Sequence, residues 1–138
     1  MDKYQKVAVH AYIKSDDGKF LVTKRSPIND FLPNFFDIPG GTVEFGEDPK
    51  EALKREIFEE TGLEVKIERP IYIYSEVQKE ERHQIWIIYE CEFKGGEIKL
   101  NPEEHNEYKW VDSKEAQKLP KIIFLEELLK YFNELQSK

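Results

Sequence analysis

An α/β fold, a sandwich of helices around a mixed β-sheet, is predicted by three features of the sequence. Strand-like runs flank one strongly capped central helix, and a second, amphipathic helix follows near the end. No internal repeat, low-complexity tract or long linker divides the chain, so residues 1–138 are expected to form a single domain.

The elements follow in order. Val7, Val9, Ala11 and Ile13 alternate with less apolar neighbours, Ser15-Asp16-Asp17-Gly18 has turn chemistry, and Phe20 to Arg25 resumes the strand pattern. A hairpin is expected there. Residues 26–34 carry Pro27, Asn29, Asp30, Pro33 and Asn34 and read as a loop, after which a short apolar segment, 35–38, leads into Pro39-Gly40-Gly41. The strongest helix signal comes next: Asp48 as N-cap, Pro49 at the first helical position, Glu51 three residues after the cap and Gly62 beyond the end. These place a helix at about residues 49–61. Two β-rich runs, 64–78 and 83–93, follow, and Gly95-Gly96 closes the second. A further strand is expected over residues 108–111. Leu125, Leu128, Leu129, Phe132 and Leu135 stand at helical spacing, which predicts an amphipathic helix over 122–135.

Composition narrows the function. With 39% hydrophobic and 36% charged residues among 138, the chain can bury a core without disulfide or metal staples and cover it with charge. A net charge of −7 argues against nucleic-acid backbone binding, which depends on Lys and Arg neutralising phosphates. An anionic small substrate would instead need a bridging cation. The sequence has neither a signal-peptide pattern nor an 18-residue apolar run, so a cytoplasmic protein without membrane partners is expected. The one cysteine, Cys91, lies in an apolar-rich stretch and reads as a buried structural thiol.

The chemistry concentrates in residues 41–63. On a helix, Glu56, Glu59 and Glu60 stand at i, i+3 and i+4, so their carboxylates share an arc of about 100°. Leu53 and Ile57 fall beside that arc, which puts the carboxylates at the margin of the buried stripe, where a cleft can form. Like charges at these spacings oppose the helix by roughly 0.2–0.5 kcal/mol per pair. Hard divalent cations would compensate them, Mg²⁺ above all. A solvated Glu-Glu pair is nevertheless commonplace in a Glu-rich chain, and only the fixed offsets of the neighbouring residues single this one out.

Those offsets resemble the Nudix box: Gly41, five residues, Glu47, seven residues, Arg55-Glu56, the apolar Ile57, any residue, Glu59-Glu60, any residue, Gly62 and the apolar Leu63. Every specified position agrees. The similarity extends to Pro39-Gly40, to Lys24-Arg25 at the end of the second strand, and to Tyr108-Lys109-Trp110-Val111. The resemblance to Nudix hydrolases of the MutT-like kind implies a Nudix-type α/β/α sandwich around a mixed β-sheet. It implies that Glu56, Glu59 and Glu60 bind Mg²⁺ or Mn²⁺ with the backbone carbonyl of Gly40, and that Arg55 orients the glutamates through an ion pair with Glu47. Gly41 and Gly62 would be structural, and Glu44 has no assigned role.

Two proton acceptors stay open, Glu56 and a downstream loop glutamate among Glu103, Glu104 and Glu107, of which Glu104 is preferred. Arg25, with Lys24, is read either as a phosphate contact or as a solvated strand edge. Phe36, with Phe35, stands where some relatives stack a base, although core packing is the preferred reading, in a segment where Asn34 and Phe36 depart from the frequent Pro-Gly-x-Trp pattern. His83 and His105 could assist proton transfer or be structural, and His10 is expected to pack.

The resemblance implies hydrolysis of a nucleoside diphosphate joined to another moiety, with a nucleoside triphosphate as first choice. The alternatives are a dinucleoside polyphosphate, suggested by Glu103-Glu104-His105 with residues 108–110, and ADP-ribose or a nucleotide sugar, for which the short chain leaves little N-terminal room. A non-catalytic nucleotide sensor is the rival from another class. The expected partner is thus a small nucleotide, with the protein a monomer or homodimer.

Overall fold

The computed structural model describes residues 2–136; Met1 and residues 137 and 138, the ends of the predicted domain, lie outside the described residues. Its strands are β1 (Tyr4–Lys14), β2 (Phe20–Arg25), β3 (Phe36–Asp37), β4 (Gly40–Thr42), β5 (Glu64–Gln78), β6 (Arg82–Gly95) and β7 (His105–Val111). The helices are α1 (Pro49–Thr61), α2 (Ser113–Gln117) and α3 (Ile123–Gln136). Strands β5 and β6 run antiparallel, and β6 pairs in parallel with β1 from Tyr4↔Arg82 to Lys14↔Glu92, which makes the sheet mixed.

The expected hairpin of β1 and β2 forms only at its turn. The two strands pair at Lys14↔Phe20 and then part. Because β6 occupies one edge of β1 and β7 one edge of β2, the segment carrying β3 and β4 enters between the other two edges. There β3 pairs β2 at Thr23 and Lys24, while β4 pairs β1 from Ala8 to His10. This wedge is what carries Gly40 and Gly41 into the middle of the sheet. A side chain at Gly40 would collide with the backbone of Val9 and His10, so close strand approach requires glycine there.

Alternation along the strands sends side chains to opposite faces, and each face has its own helix. On one face, Ala52, Leu53 and Ile57 of α1 pack with Val9, Ala11, Ile13, Tyr89 and Cys91. On the other, Phe124, Leu125, Leu128 and Leu129 of α3 pack with Ala8, Trp86, Ile88 and Phe20. The result is the α/β/α sandwich. Helix α1 starts where Asp48 accepts from the amides of Lys50 and Glu51, and it ends at Gly62, whose φ of 73° places it in the left-handed region. Helix α2 was not anticipated, although Asp112 and Glu115 form a capping box at its start. No helix among the described residues is long and apolar enough to cross a membrane.

Candidate active site

The last two turns of α1 carry a graded series of carboxylates. Glu59 is exposed, Glu56 half-buried, and Glu60 only 9% exposed. Arg55 organises the outer members. Its guanidinium donates to both carboxylate oxygens of Glu47, at 3.0 and 3.1 Å, donates to Glu56 at 3.0 Å, and lies 3.5 Å from Glu59. Such a planar fork fixes direction as well as charge. The contact with Glu47 holds that carboxyl below its ordinary range and keeps Arg55 firmly protonated. Burial pushes the Glu56 carboxyl up, with Arg55 pulling against it.

Glu60 turns the other way, into the wedge. The amide of Gly40 donates to its Oε2 at 2.9 Å, and Gly41 leaves just enough room for the Glu56 carboxylate. Desolvation raises the Glu60 carboxyl well above its usual value, and the neighbouring acids Asp37, Glu56 and Glu104 add to the effect against the Gly40 amide. Arg25 faces Asp37 and Arg55 faces Glu56, which leaves Glu60 to be relieved by a proton or by a cation, because an uncompensated buried charge is strongly disfavoured.

A turn before β7 supplies the rest. The Ser26 amide and hydroxyl donate to the carbonyls of Glu104 and Glu103, at 2.9 and 2.7 Å, and the Asn101 carbonyl accepts from the amides of Glu104 and His105. So anchored, Glu104 and His105 approach α1. Among the described residues, Glu60, Glu104 and His105 form a group whose ligand atoms lie within 4.8 Å of one another. His105 is 5% exposed, its Nδ1 is buried without a hydrogen-bond partner, and burial pushes its imidazolium pKa down. Asp37, also buried, receives the Ile38 amide at 2.7 Å and lies 3.6 Å from both His10 and Arg25.

A cavity of about 420 Å³ opens beside Glu60, Gly40 and Gly41. Its floor is sheet, with His10, Gln84 and Trp86, and its rim carries Lys6, Arg82 and Phe31. A second, more apolar cavity of about 450 Å³ adjoins it and shares Phe31, Gln78, Arg82 and Trp86.

The structure brings Gly40, Gly41, Glu56, Glu60 and Glu104 together, with Arg55 and Glu47 just outside them. Gly40 meets Glu60 through its amide, beside the carbonyl that the resemblance assigns to the metal. Gly62 serves as helix cap, away from the cavity lining. Arg25 reaches the cavity, but its guanidinium donates to Phe31 O at 2.7 Å and Asn29 Oδ1 at 2.8 Å, so it holds the 26–34 loop. Phe36 needs correction as a stacking ring: it is 5% exposed and belongs to the core on the α3 side, because β3 turns it inward, while Phe31 lines the cavity. His83, near Gln5, is remote from this cluster, and Glu107 pairs with Lys24 and Lys109. His10 packs on Phe124 as expected and donates to the Ile38 carbonyl at 2.7 Å. Asp37, Ser26 and Arg82 were missed, since no periodicity marks a residue whose role comes from distant strands.

Comparison with known proteins places this geometry in context. The model of the NUDIX domain matches residues 4–132. An ADP-ribose pyrophosphatase of Methanocaldococcus jannaschii is 38% identical over 124 residues, 86% of this chain, which spans 66% of that relative's length. The nucleoside triphosphatase NudI of Escherichia coli K12 is 34% identical over 106 residues, 70% of this chain and 74% of the relative. Among solved structures, the MutT protein of Methanosarcina mazei superposes with a TM-score of 0.86 at 26% identity, covering 100% of this chain and 99% of that one. The Escherichia coli ORF135 protein follows at 0.81 and 25%, covering 97% and 92%.

Proposed function

The chain belongs to the NUDIX domain family and is a Nudix hydrolase, and from that premise we propose that it cleaves, with Mg²⁺ or Mn²⁺, the pyrophosphate link of a nucleoside triphosphate in the cytoplasm. The observation that carries this reading is the buried carboxylate cluster around Glu60 at the wall of a cavity whose rim carries Lys6 and Arg82. A polyphosphate entering between cations on one side and a cation-binding cluster on the other finds countercharge along its length. The donor set fits hard divalent ions, which take carboxylate oxygens and share the remainder of their shell with phosphate. Glu59 and Glu60, with Glu104 beside them, would hold the ion. When bound, the metal acidifies a coordinated water and neutralises charge on the phosphoryl oxygens.

The chain's own residues supply the rest. Arg55 fixes Glu56 and Glu59 through its fork. Of the two proton acceptors left open by the sequence, Glu56 is favoured, because burial raises its proton affinity while Glu104 lies against Glu60. The exposed Phe31 offers aromatic surface for a base, and Gln78 and Gln84 offer amides for its edge. The products would be a nucleoside monophosphate and the phosphorylated remainder. ADP-ribose is the second reading, favoured by the 38% identity to the archaeal pyrophosphatase.

The test is a panel of nucleoside triphosphates, ADP-ribose, nucleotide sugars and dinucleoside polyphosphates, each with Mg²⁺, with Mn²⁺ and with excess chelator. Triphosphate hydrolysis that vanishes with chelator is expected. Full turnover in chelator refutes the metal, and no turnover of any compound points to nucleotide sensing without catalysis.

A further inference from the structure

Resting on that reading of the site, we propose that His105 completes a carboxylate-imidazole cation position with Glu60 and Glu104, so that a nitrogen donor takes part in choosing the metal. Three donors from two distant parts of the chain, the end of α1 and the turn leading into β7, have ligand atoms mutually within 4.8 Å. A cation about 2.0–2.3 Å from each donor spans up to about 4.5 Å between them, so closure on a metal needs only a small adjustment.

The second observation is independent of the acids. His105 is 5% exposed and its Nδ1 is buried with no hydrogen-bond partner, a state that protein interiors rarely tolerate. A merely packed histidine would be satisfied by a carbonyl, as His10 is by Ile38. The neutral ring at this position has one N–H and one lone pair, and the lone pair is what a cation requires. The backbone is arranged to present both side chains: the amides of Glu104 and His105 share the Asn101 carbonyl, and Ser26 ties down the carbonyls of Glu103 and Glu104. Imidazole suits Zn²⁺, Ni²⁺, Cu²⁺ and Fe²⁺, whereas Mg²⁺ and Mn²⁺ prefer carboxylate and water. The position therefore favours the former ions over Mg²⁺, while the exposed Glu59 is an oxygen ligand open to either.

The experiment reads the ring itself. The full chain, labelled with ¹⁵N-histidine and assigned, is titrated with Zn²⁺ as a diamagnetic probe while imidazole nitrogen shifts are followed. One ring nitrogen of His105 is expected to leave its lone-pair position at saturation, with His10 and His83 unmoved. Calorimetry then compares His105→Gln with wild type: Zn²⁺ affinity should fall about tenfold or more, and Mg²⁺ affinity should hold. Absence of Zn²⁺ binding, a shift confined to His83 or His10, or an unmoved His105 overturns the proposal. Should His105→Gln fail to fold, the wild-type spectrum decides alone. Because no turnover is measured, failure of the hydrolase reading would leave these shifts intact, and failure of the imidazole ligand would leave hydrolysis intact.

Discussion

Replacing Gly41 by alanine should separate activity from stability. The new Cβ would stand 2.6 and 2.7 Å from the two carboxylate oxygens of Glu56 and closer still to its Cδ. Ordinary contact begins at 3.4 Å, so the nearer oxygen must retreat by 3.4 minus 2.6, about 0.8 Å. Misplacing a reacting group by about 1 Å can lower turnover about 100-fold. The obstacle is the end of a flexible side chain, so the backbone has no reason to move. Gly41 has no positive φ, and alanine at such a position gains about 0.4–1 kcal/mol from the unfolded chain. Loosening the partly exposed Arg55 contact loses about 0–1 kcal/mol, and the two offset one another to within about 1 kcal/mol. A Tm change of about 4 °C or less follows. Gly40→Ala provides the contrast, because its Cβ meets the His10 Cα at 2.6 Å and the Val9 carbonyl oxygen closer still, both backbone atoms. That overpacking should destabilise by roughly 1–3 kcal/mol or more. The assay is kcat and KM at saturating Mn²⁺ beside thermal unfolding of both variants. Turnover of Gly41→Ala within a few fold of wild type would refute the argument, as would a Gly40→Ala protein as stable as its parent.

Arg55→Lys should lose most turnover while the fold persists, since a lysine cannot span Glu47 and Glu56 together; kcat near the wild-type value would show that the fork is dispensable. Glu56→Gln should abolish turnover and leave Mn²⁺ affinity within a few fold, whereas Glu104→Gln should weaken Mn²⁺ binding about tenfold or more, and calorimetry with steady-state kinetics exposes any reversal of that split. Cys91 is fully buried and its thiol is pushed up to about 12 by desolvation, so native protein should resist alkylation at pH 8 until it unfolds. Its folded pKa lies above the ordinary thiol value of 9.0, so the stability linked to the protonated thiol is complete below about pH 9 and is lost as pH rises toward 12. Cys91→Val should flatten that part of the alkaline unfolding curve, and an unchanged curve would count against it.

What could be read from the sequence was local. Helix α1 was legible because Asp48, Pro49 and Gly62 punctuate it within a few residues, and the carboxylate arc follows from helical period alone. Which of Glu59 and Glu60 is buried was not legible, because the wedge that covers Glu60 belongs to another part of the chain. For the same reason the parting of β1 and β2 escaped detection: alternation marks a strand but names no partner. Phe31 and Phe36 illustrate the limit, since both are aromatic residues in an irregular stretch and only tertiary pairing decides which is enclosed. The α2 capping box, Asp112 with Glu115, is a local signal, but five residues are too few to display a helical period beside it.

The parallel pairing of β1 with β6 imposes an order on biosynthesis. Gln5 lies beside His83, its partner in register, 78 residues later. At about 5–20 residues per second, a ribosome needs roughly 4–16 s to make that interval. Throughout it, the Val9, Ala11 and Ile13 row of β1 has an open edge, and α1 has only half a surface on which to dock. Contacts this far apart form late in any refolding route, after loop closure has been met by the earlier hairpins. The carboxylate cluster inherits this schedule. Glu60 leaves the ribosome well before Glu104 and His105, so the nascent chain holds scattered acids and no enclosure, and on the proposed reading tight metal uptake is expected only as a late marker of completed folding.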